Sequence, residues 1–480
     1  MNKTYSYHTF LFPFLWNDGS VVLREKFVRC LGERWEFESA PTGSLSDARM
    51  NEMYNQYHYF NAAARHAVYA AQRTVDAVVW EYRYRLDEGT RYVIEKGERR
   101  AALAVDAIRL KLYNTGIGIL LFELHNDTHP AVEDILWIND FGRGMYMPFC
   151  DNGECSGCAD EISLVCGESV LAGGKLVGRP ASYDALHLAA PIAALLQSDD
   201  YRITTDETKK GKKTFFIEPI IDDRMFAACY CVAPELVGEA TAWTDGDYRY
   251  LRDAATRLPD DPDNVAATLY RLVFVDGAGL TCQNRGMLAE AMQKNLYTRW
   301  LEYGTFIGIT DYSLTAISSS DADYLVRNFR TEYVEMAVLT LAQRASLLGF
   351  ERMISDSALG RRDISRIQRR YLMFQSQLLL KEVTSQQQGL ELYRHLREKM
   401  FIAEQAGDIR EQITALFEQK TNHNEMRENR ILFFLAILGI MEAVDLFVGW
   451  LLPNAAPLVK PLIALGMCAA VTLYTFCKRK

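Results

Sequence analysis

Hydrophobic residues follow two different repeats along the first 320 residues. Runs rich in β-branched and aromatic residues predict strands, whereas apolar residues three and four positions apart predict helices. We therefore expect a mixed α/β (α+β) fold in this region. The predicted strands are Tyr7–Phe14, Val75–Tyr84, Leu103–Tyr113, Gly118–Leu124, Thr214–Ile221 and Leu269–Val275, and the predicted helices are Asp47–Arg73, Val132–Asp140 and Gln283–Tyr297.

A long helical segment follows, from about residue 365 to residue 430. It contains no proline, its only glycines are Gly389 and Gly407, and strong helix formers dominate its composition. We expect one long helix here, with a break near one of the two glycines, that runs directly into the apolar segment beyond it. An earlier helix is predicted over Ala322–Leu348.

Residues 431–480 contain two long apolar runs. Ile431–Leu452 is long enough to cross a hydrocarbon core of about 30 Å as a helix, and Pro461–Cys477 is close to the minimum length. Two such runs joined by a short loop favour a transmembrane hairpin over a buried hairpin in a water-soluble domain. We predict a cytoplasmic α/β sensor or ligand-binding domain over residues 1–320, a helical stalk over 321–430 and a two-helix transmembrane hairpin over 431–480.

Basic residues precede the first apolar run and follow the second. Because cytoplasmic flanks retain positive charge, both termini are expected inside and the connecting loop outside. The start of the chain does not have the pattern of a secretory signal. These features predict a multi-pass protein of the inner membrane, with reduced cysteines in its cytoplasmic part. The flanking residues are Lys420, Arg427 and Arg430 before the first run and Lys478, Arg479 and Lys480 after the second.

Two carboxylates lie inside the first apolar run. Glu442 and Asp445 are three residues apart and therefore share a helical face. A charge that faces lipid costs on the order of 3 kcal/mol, so we predict that both face a pore. A single hairpin cannot enclose a pore, but several subunits would turn each carboxylate into a ring that favours cations. The alternative is hydration near the outer interface; Asn422, just before the run, is a third candidate pore-lining residue.

Composition and motifs argue against two other classes. The 53 basic and 62 acidic residues give a formal net charge of −9, which is unlike a direct nucleic-acid binder. The chain lacks the hydrolase, zinc-protease and dinucleotide motifs, so we do not expect an enzyme. The mean hydropathy of −0.12 is typical of a soluble globular protein and hides the apolar end of the chain.

Four cysteines in the N-terminal region have spacing C-x4-C-x2-C-x7-C. Their thiolates could hold zinc in a small knuckle, since C-x2-C places two ligands on one turn. The alternative interpretation is an ordinary loop with reduced thiols. These residues are Cys150, Cys155, Cys158 and Cys166.

Two further features are candidate anion sites. Arg143 follows a predicted helix in the sequence Asn-Asp-Phe-Gly-Arg-Gly, where it could bind an anionic ligand, although a helix C-cap explains the glycines equally well. Four lysines surround Gly211, and they could bind phosphates or anionic lipid or simply form a solvated hairpin tip. The lysines are Lys209, Lys210, Lys212 and Lys213.

The order of soluble domain, helical stalk, pore-lining span, short loop, second span and basic tail resembles the CorA-like divalent-cation transporter superfamily. The resemblance is strongest over residues 320–480, including TNHNEMRENRILFFLAILGI and the terminal KRK. It implies a homo-oligomer, usually of five subunits, that conducts or senses a divalent cation such as magnesium. The family's Gly-Met-Asn signature is missing, because Gly449-Trp450-Leu451 stands in its place, so magnesium selectivity does not carry over.

Several segments, FLFPF, INDFGRG, LAQRASLL and SQQQGLELY, are similar to divergent CorA-like members that lack this signature. Such members act as antiviral membrane effectors in type III CRISPR defence, where a nucleotide second messenger made from S-adenosylmethionine and AMP activates them. The expected function is therefore an oligomeric cation channel or transporter gated through its cytoplasmic domain. The alternatives are a messenger-opened effector with a small nucleotide ligand and a non-conducting membrane-anchored scaffold.

Overall fold

A computed structural model describes most of the chain, and the observations below refer to the residues it describes. Within them, thirteen strands form one sheet. The described residues are 4–16, 21–40, 48–70, 77–146, 157–176, 188–197, 217–241, 265–277, 279–360, 362–451, 461–463 and 466. The strands are β1 (Ser6–Leu15), β2 (Trp35–Phe37), β3 (Val79–Tyr84), β4 (Thr90–Lys96), β5 (Arg99–Tyr113), β6 (Ile117–Asn126), β7 (Glu161–Cys166), β8 (Ser169–Ala172), β9 (Glu218–Pro219), β10 (Phe226–Val232), β11 (Leu296–Tyr297), β12 (Thr305–Ile309) and β13 (Ser313–Ser318).

The sheet is built around β1. Its main path runs β11-β12-β13-β10-β1-β6-β5-β4-β7-β8, with β2, β3 and β9 attached at the side. The strand pairs are antiparallel except β10 and β13, which run parallel. A bulge lies between Val105 and Ala107 of β5, where the register with β6 shifts. This shift changes the direction in which the intervening Asp106 points.

Helices cover both faces of the sheet, and alternate residues of β1 show why. Phe10 and Phe12 belong to one buried cluster, whereas Leu11 between them belongs to another. Because successive strand side chains point to opposite faces, one apolar run supplies both cores. The helices are α1 (Val21–Cys30), α2 (Ala48–Tyr59), α3 (Ala62–Val68), α4 (Val132–Gly142), α5 (Ala190–Leu195), α6 (Pro234–Thr241), α7 (Val265–Val273), α8 (Arg285–Asn295), α9 (Asp323–Asn328), α10 (Val334–Ala358), α11 (Ile364–Gln377), α12 (Gln387–Lys399) and α13 (Ile402–Leu451).

The strands predicted near β1, β5 and β6 are observed, but the predicted strand Leu269–Val275 is wrong. Its first five residues, Leu269–Val273, lie in the helix α7. Its buried residues Ala266, Leu269 and Leu272 recur every three positions, which is a helical spacing. The apolar run was too short for composition to distinguish the two periods. The predicted helix Asp47–Arg73 is divided into α2 and α3.

The segment predicted as one long helix, residues 365–430, contains α11, α12 and the first part of α13. α11 ends at Gln377, and α12 is followed by Phe401, whose φ of 54° turns the chain before α13 begins. Gly389 lies inside α12, where an added Cβ would come within 2.3 Å of the Tyr59 hydroxyl oxygen. Close packing therefore explains this glycine. Gly407 lies within α13.

A buried ionic network joins the sheet to α10. Lys111 of β5 donates to Oε2 of Glu335 at 2.7 Å, and Arg109 donates to Oε1 of the same carboxylate at 2.8 Å. Arg109 also pairs with Glu81 and Glu123. Buried charges are stable only when they are paired in this way. The network therefore fixes the position of α10 on the sheet.

α13 is the longest element and leaves the folded body partway along its length. Its 50 residues span about 75 Å at 1.5 Å per residue. Ile402, Ile409 and Ile413 are buried in the same cluster as residues of β1 and α10. The residues after about Lys420 are mostly exposed.

Candidate functional site

Arg143 caps the C-terminus of α4, which packs on the sheet through its buried apolar residues. Gly142, just before it, has no side chain, and an added Cβ would lie 2.7 Å from Ile94 Cδ1 and 2.9 Å from Phe10 Cε2. Close approach to β1 and β4 therefore explains this glycine better than the predicted cap. The hydroxyl of Tyr92 donates to the Gly142 carbonyl at 2.8 Å and holds the same helix end.

Two backbone hydrogen bonds bring a distant segment beside Arg143. The amide of Met225 donates to the Arg143 carbonyl at 2.7 Å, and the amide of Met145 donates to the Asp223 carbonyl at 3.1 Å. Gly144 and Arg224 form an isolated antiparallel bridge. The residues just before β10 therefore lie against the end of α4.

This pairing places two arginines around one carboxylate. Arg224 donates from Nη1 to Oδ1 of Asp140 at 3.1 Å and from Nη2 to the Gly157 carbonyl at 3.2 Å. Nη2 of Arg143 lies 4.0 Å from the same Asp140 oxygen, and its guanidinium carbon lies 5.3 Å from the ring centre of Tyr312. Arg143 is only 5% exposed. In the described part of the chain, its Nε has no hydrogen-bond partner.

Two adjacent acids complete the cluster. Partial burial, the hydrogen bond with Asp222 and the charge of Asp222 raise the pKa of Asp223 to about 6. Partial burial opposes ionisation of Asp222, but the hydrogen bonds from Asp223 and the two arginines lower its pKa overall. Burial, together with the charge of Arg224, lowers the pKa of Arg143. Two cations and two unlike carboxyl groups can bind a ligand that carries both an anionic group and hydrogen-bond donors.

Two of the four predicted zinc ligands, Cys158 and Cys166, lie within the described residues, and they are far apart. Cys150 and Cys155 lie outside the described residues. Cys158 precedes β7 and donates to the Tyr146 carbonyl, whereas Cys166 ends this strand and donates to Glu88. The strand alone spans about 17 Å at 3.3 Å per residue, so these two thiols lie at opposite ends of it and cannot bind one ion together. Across the described residues, no group of three or more His, Cys, Asp or Glu side chains could hold a metal ion.

The predicted pore-lining residues belong to α13. Glu442 and Asn422 are exposed on it, and the side chain of Asp445 lies outside the described residues. Counted over the described residues, none of the helices combines the length and the apolar character that a membrane crossing requires. Large apolar side chains are nevertheless exposed along the end of α13. They are Ile431, Leu432, Phe433, Phe434, Leu435, Leu438, Met441, Leu446, Phe447 and Trp450.

The sequence patterns identified Arg143 but not the groups around it. Asp222-Asp223 lies in a turn-like stretch of the sequence, which is typical of solvated residues, and Arg224 and Tyr312 give no local signal, because the cluster is assembled from separate segments. The four lysines Lys209, Lys210, Lys212 and Lys213 lie outside the described residues. No family model, curated protein or solved structure matches this chain.

Proposed function

We propose that this chain is one subunit of a homo-oligomeric cation channel or transporter of the inner membrane, gated through its α/β domain. One observation carries the proposal. α13 leaves the folded body after about Lys420 and continues to Leu451, and its last turns expose apolar side chains with Glu442 among them.

The distribution of these side chains favours lipid over a single protein partner. Residues 431–435 are consecutive and all exposed, and consecutive residues on a helix point in directions about 100° apart. The apolar surface therefore surrounds the helix and is not a stripe on one face. A helix that is apolar on every side is typical of a membrane span. As a helix, the 22-residue sequence Ile431–Leu452 would be about 33 Å long, which fits a bilayer core.

The position of Glu442 supports conduction. A carboxylate within an apolar helix is costly unless it faces water, and one hairpin provides no enclosed water path. Several copies around an axis would provide one and would place a ring of Glu442 carboxylates at the same depth. A pentamer is the expected assembly from the CorA-like resemblance. A divalent cation such as magnesium is the expected ion.

The folded body is positioned to act on this helix. α13 packs on α10, α11 and α12 through residues such as Ile409 and Ile413, and α10 is fixed to the sheet by the Glu335 network. A ligand that shifts the sheet would therefore move the buried start of α13. This mechanical path supports gating through the α/β domain.

Ion flux into liposomes tests the proposal. We expect the reconstituted full chain to release cations at a rate above empty liposomes, and the double variant Glu442→Gln with Asp445→Asn to change the preference for divalent over monovalent cations. Glu428→Gln is the matched control, because Glu428 is an exposed carboxylate of α13 that precedes the apolar run. Membrane insertion without flux under any condition would contradict conduction and favour the scaffold alternative.

A second candidate is the same pore acting as an antiviral effector opened by a nucleotide messenger, the S-adenosylmethionine–AMP conjugate. The observation in its favour is the Arg143–Arg224 cluster in the α/β domain, where an anionic ligand could bind. Flux that appears only after addition of this conjugate would support the effector. Flux that ignores it would favour an ordinary transporter.

A further inference from the structure

Arg143 is a buried arginine whose charged group is poorly satisfied. A guanidinium has five N–H donors, and leaving a buried charged group unpaired is unfavourable. The one ion pair of Arg143 within the described residues is the 4.0 Å contact with Asp140, which is too long for a hydrogen bond. Arg24 is equally buried, but its terminal nitrogens donate to the carbonyls of Ala77 and Leu112, whereas those of Arg143 make no hydrogen bond within the described residues. The contrast requires an explanation specific to Arg143.

We propose that Arg143 and Arg224 together bind the phosphate of a small phosphorylated sugar or nucleotide. The two guanidinium groups flank Asp140, so they lie side by side at the end of α4. Planar guanidinium groups match the oxygens of a phosphate with paired hydrogen bonds. Binding would supply the acceptors that Arg143 lacks.

The acids define the rest of the ligand. Asp222 interacts electrostatically with both arginines, and Asp223 is hydrogen-bonded to Asp222. These carboxyl groups disfavour a bare anion but accept hydrogen bonds from hydroxyl groups. The ligand must therefore combine a phosphate with neighbouring hydroxyls, as a ribose phosphate does. The role of this site in gating rests on the proposed function, whereas the binding itself does not.

A ligand-binding role and a structural role predict opposite effects on stability. If Arg143 served only to hold the fold, Arg143→Met would destabilise the protein. If the buried Nε is unpaired until the ligand arrives, methionine removes the cost of its burial and keeps the stem volume. We expect the free variant to be at least as stable as the wild type, with its thermal midpoint unchanged or raised.

Calorimetry on the full chain in detergent tests binding with four probes: ribose 5-phosphate, AMP, adenosine and inorganic phosphate. We expect ribose 5-phosphate and AMP to bind, adenosine not to bind, and inorganic phosphate to bind at least about tenfold more weakly than ribose 5-phosphate. Equal affinity for the first two probes indicates a sugar phosphate as the ligand class. Tighter binding of AMP indicates a nucleotide.

Three variants complete the test. Arg143→Met should reduce the affinity for ribose 5-phosphate by roughly 10- to 100-fold. Arg143→Lys should also lose most of this affinity, since lysine lacks the planar guanidinium group. Arg100→Met is the control, because Arg100 is an exposed arginine that pairs with Glu95 on β4. Absence of binding by all probes, or binding that both Arg143 variants leave unchanged, would overturn the proposal. Liposome flux is measured separately, so a channel without this binding site and a binding protein without conduction are distinguishable.

Discussion

The Nζ atom of Lys111 on β5 lies 2.7 Å from Oε2 of Glu335 on α10, and neither side chain reaches solvent. The pair joins the middle of the sheet to the helix against which the long α13 packs. It is therefore the contact through which a change in the sheet would most directly affect α10. Two further buried charges are linked to this pair: Arg109 on β5 pairs with Glu335, and Glu81 on β3 pairs with both Arg109 and Lys111.

Glu335→Gln is expected to destabilise the protein by about 3 to 5 kcal/mol. The substitution leaves Lys111 and Arg109 buried with less negative charge to compensate them. Urea unfolding of the full chain in detergent, followed by tryptophan fluorescence, measures the change. Glu351→Gln, at an exposed position of the same helix, should change the free energy of unfolding by less than about 0.5 kcal/mol. Equal effects of the two substitutions would show that the network contributes nothing specific.

Gly277→Ala is expected to destabilise the fold by about 1 to 3 kcal/mol and to disturb the Arg224 pairing. An added Cβ would lie 2.6 Å from the Leu136 carbonyl oxygen and 2.8 Å from Asp140 Cβ, so α4 must move. Gly238→Ala is the control on α6, where an added Cβ meets no atom within 4 Å. This control should be neutral or stabilising, because alanine favours a helix. Thermal unfolding of both variants tests the prediction, and equal midpoints would contradict it.

Part of this architecture could be predicted from local sequence, and part could not. β1 was identifiable because its apolar residues form a continuous run that serves two cores. α7 was misassigned because nine residues contain too few turns to reveal a helical period. The Arg143 cluster could not be predicted, since Arg224 and Tyr312 reach it only through strand order in the sheet. The apolar end of α13 was evident because its pattern needs no tertiary context.

Asp223→Asn is expected to stabilise the protein at pH 7.5 and to have little effect at pH 4. The carboxyl has a pKa near 6 in the folded state against 3.8 in the unfolded chain, so it favours folding while protonated. That contribution is complete below about pH 4 and is lost as the pH rises through 6. The full shift would correspond to about 3 kcal/mol, and solvent screening of this partly exposed group reduces the expectation to about 1 kcal/mol.

Urea unfolding at the two pH values measures the difference between wild type and variant. Asp321→Asn, at an exposed position before α9, is the matched control and should show no comparable pH dependence. If Asp223→Asn raises the free energy of unfolding equally at pH 4 and pH 7.5, the surroundings do not raise the pKa of the Asp223 carboxyl group. The result would then remove the electrostatic account of this part of the cluster.

His8→Gln is expected to remove a loss of stability that the wild type shows in mild acid. Burial lowers the pKa of His8 to about 4, while its Nδ1 contacts Asn139 Oδ1 and its Nε2 contacts Ser6 Oγ, both at 2.8 Å. Because the unfolded chain binds the proton more tightly, the contribution of His8 is complete above pH 6.5 and declines as the pH falls through 4. The decline amounts to about 3 kcal/mol. His66→Gln is the control, because His66 on α3 is an exposed histidine. The free energy of unfolding, measured at pH 4 and pH 7, should separate the two variants. An equal loss of stability at pH 4 in both variants would contradict the neutral, buried state of His8.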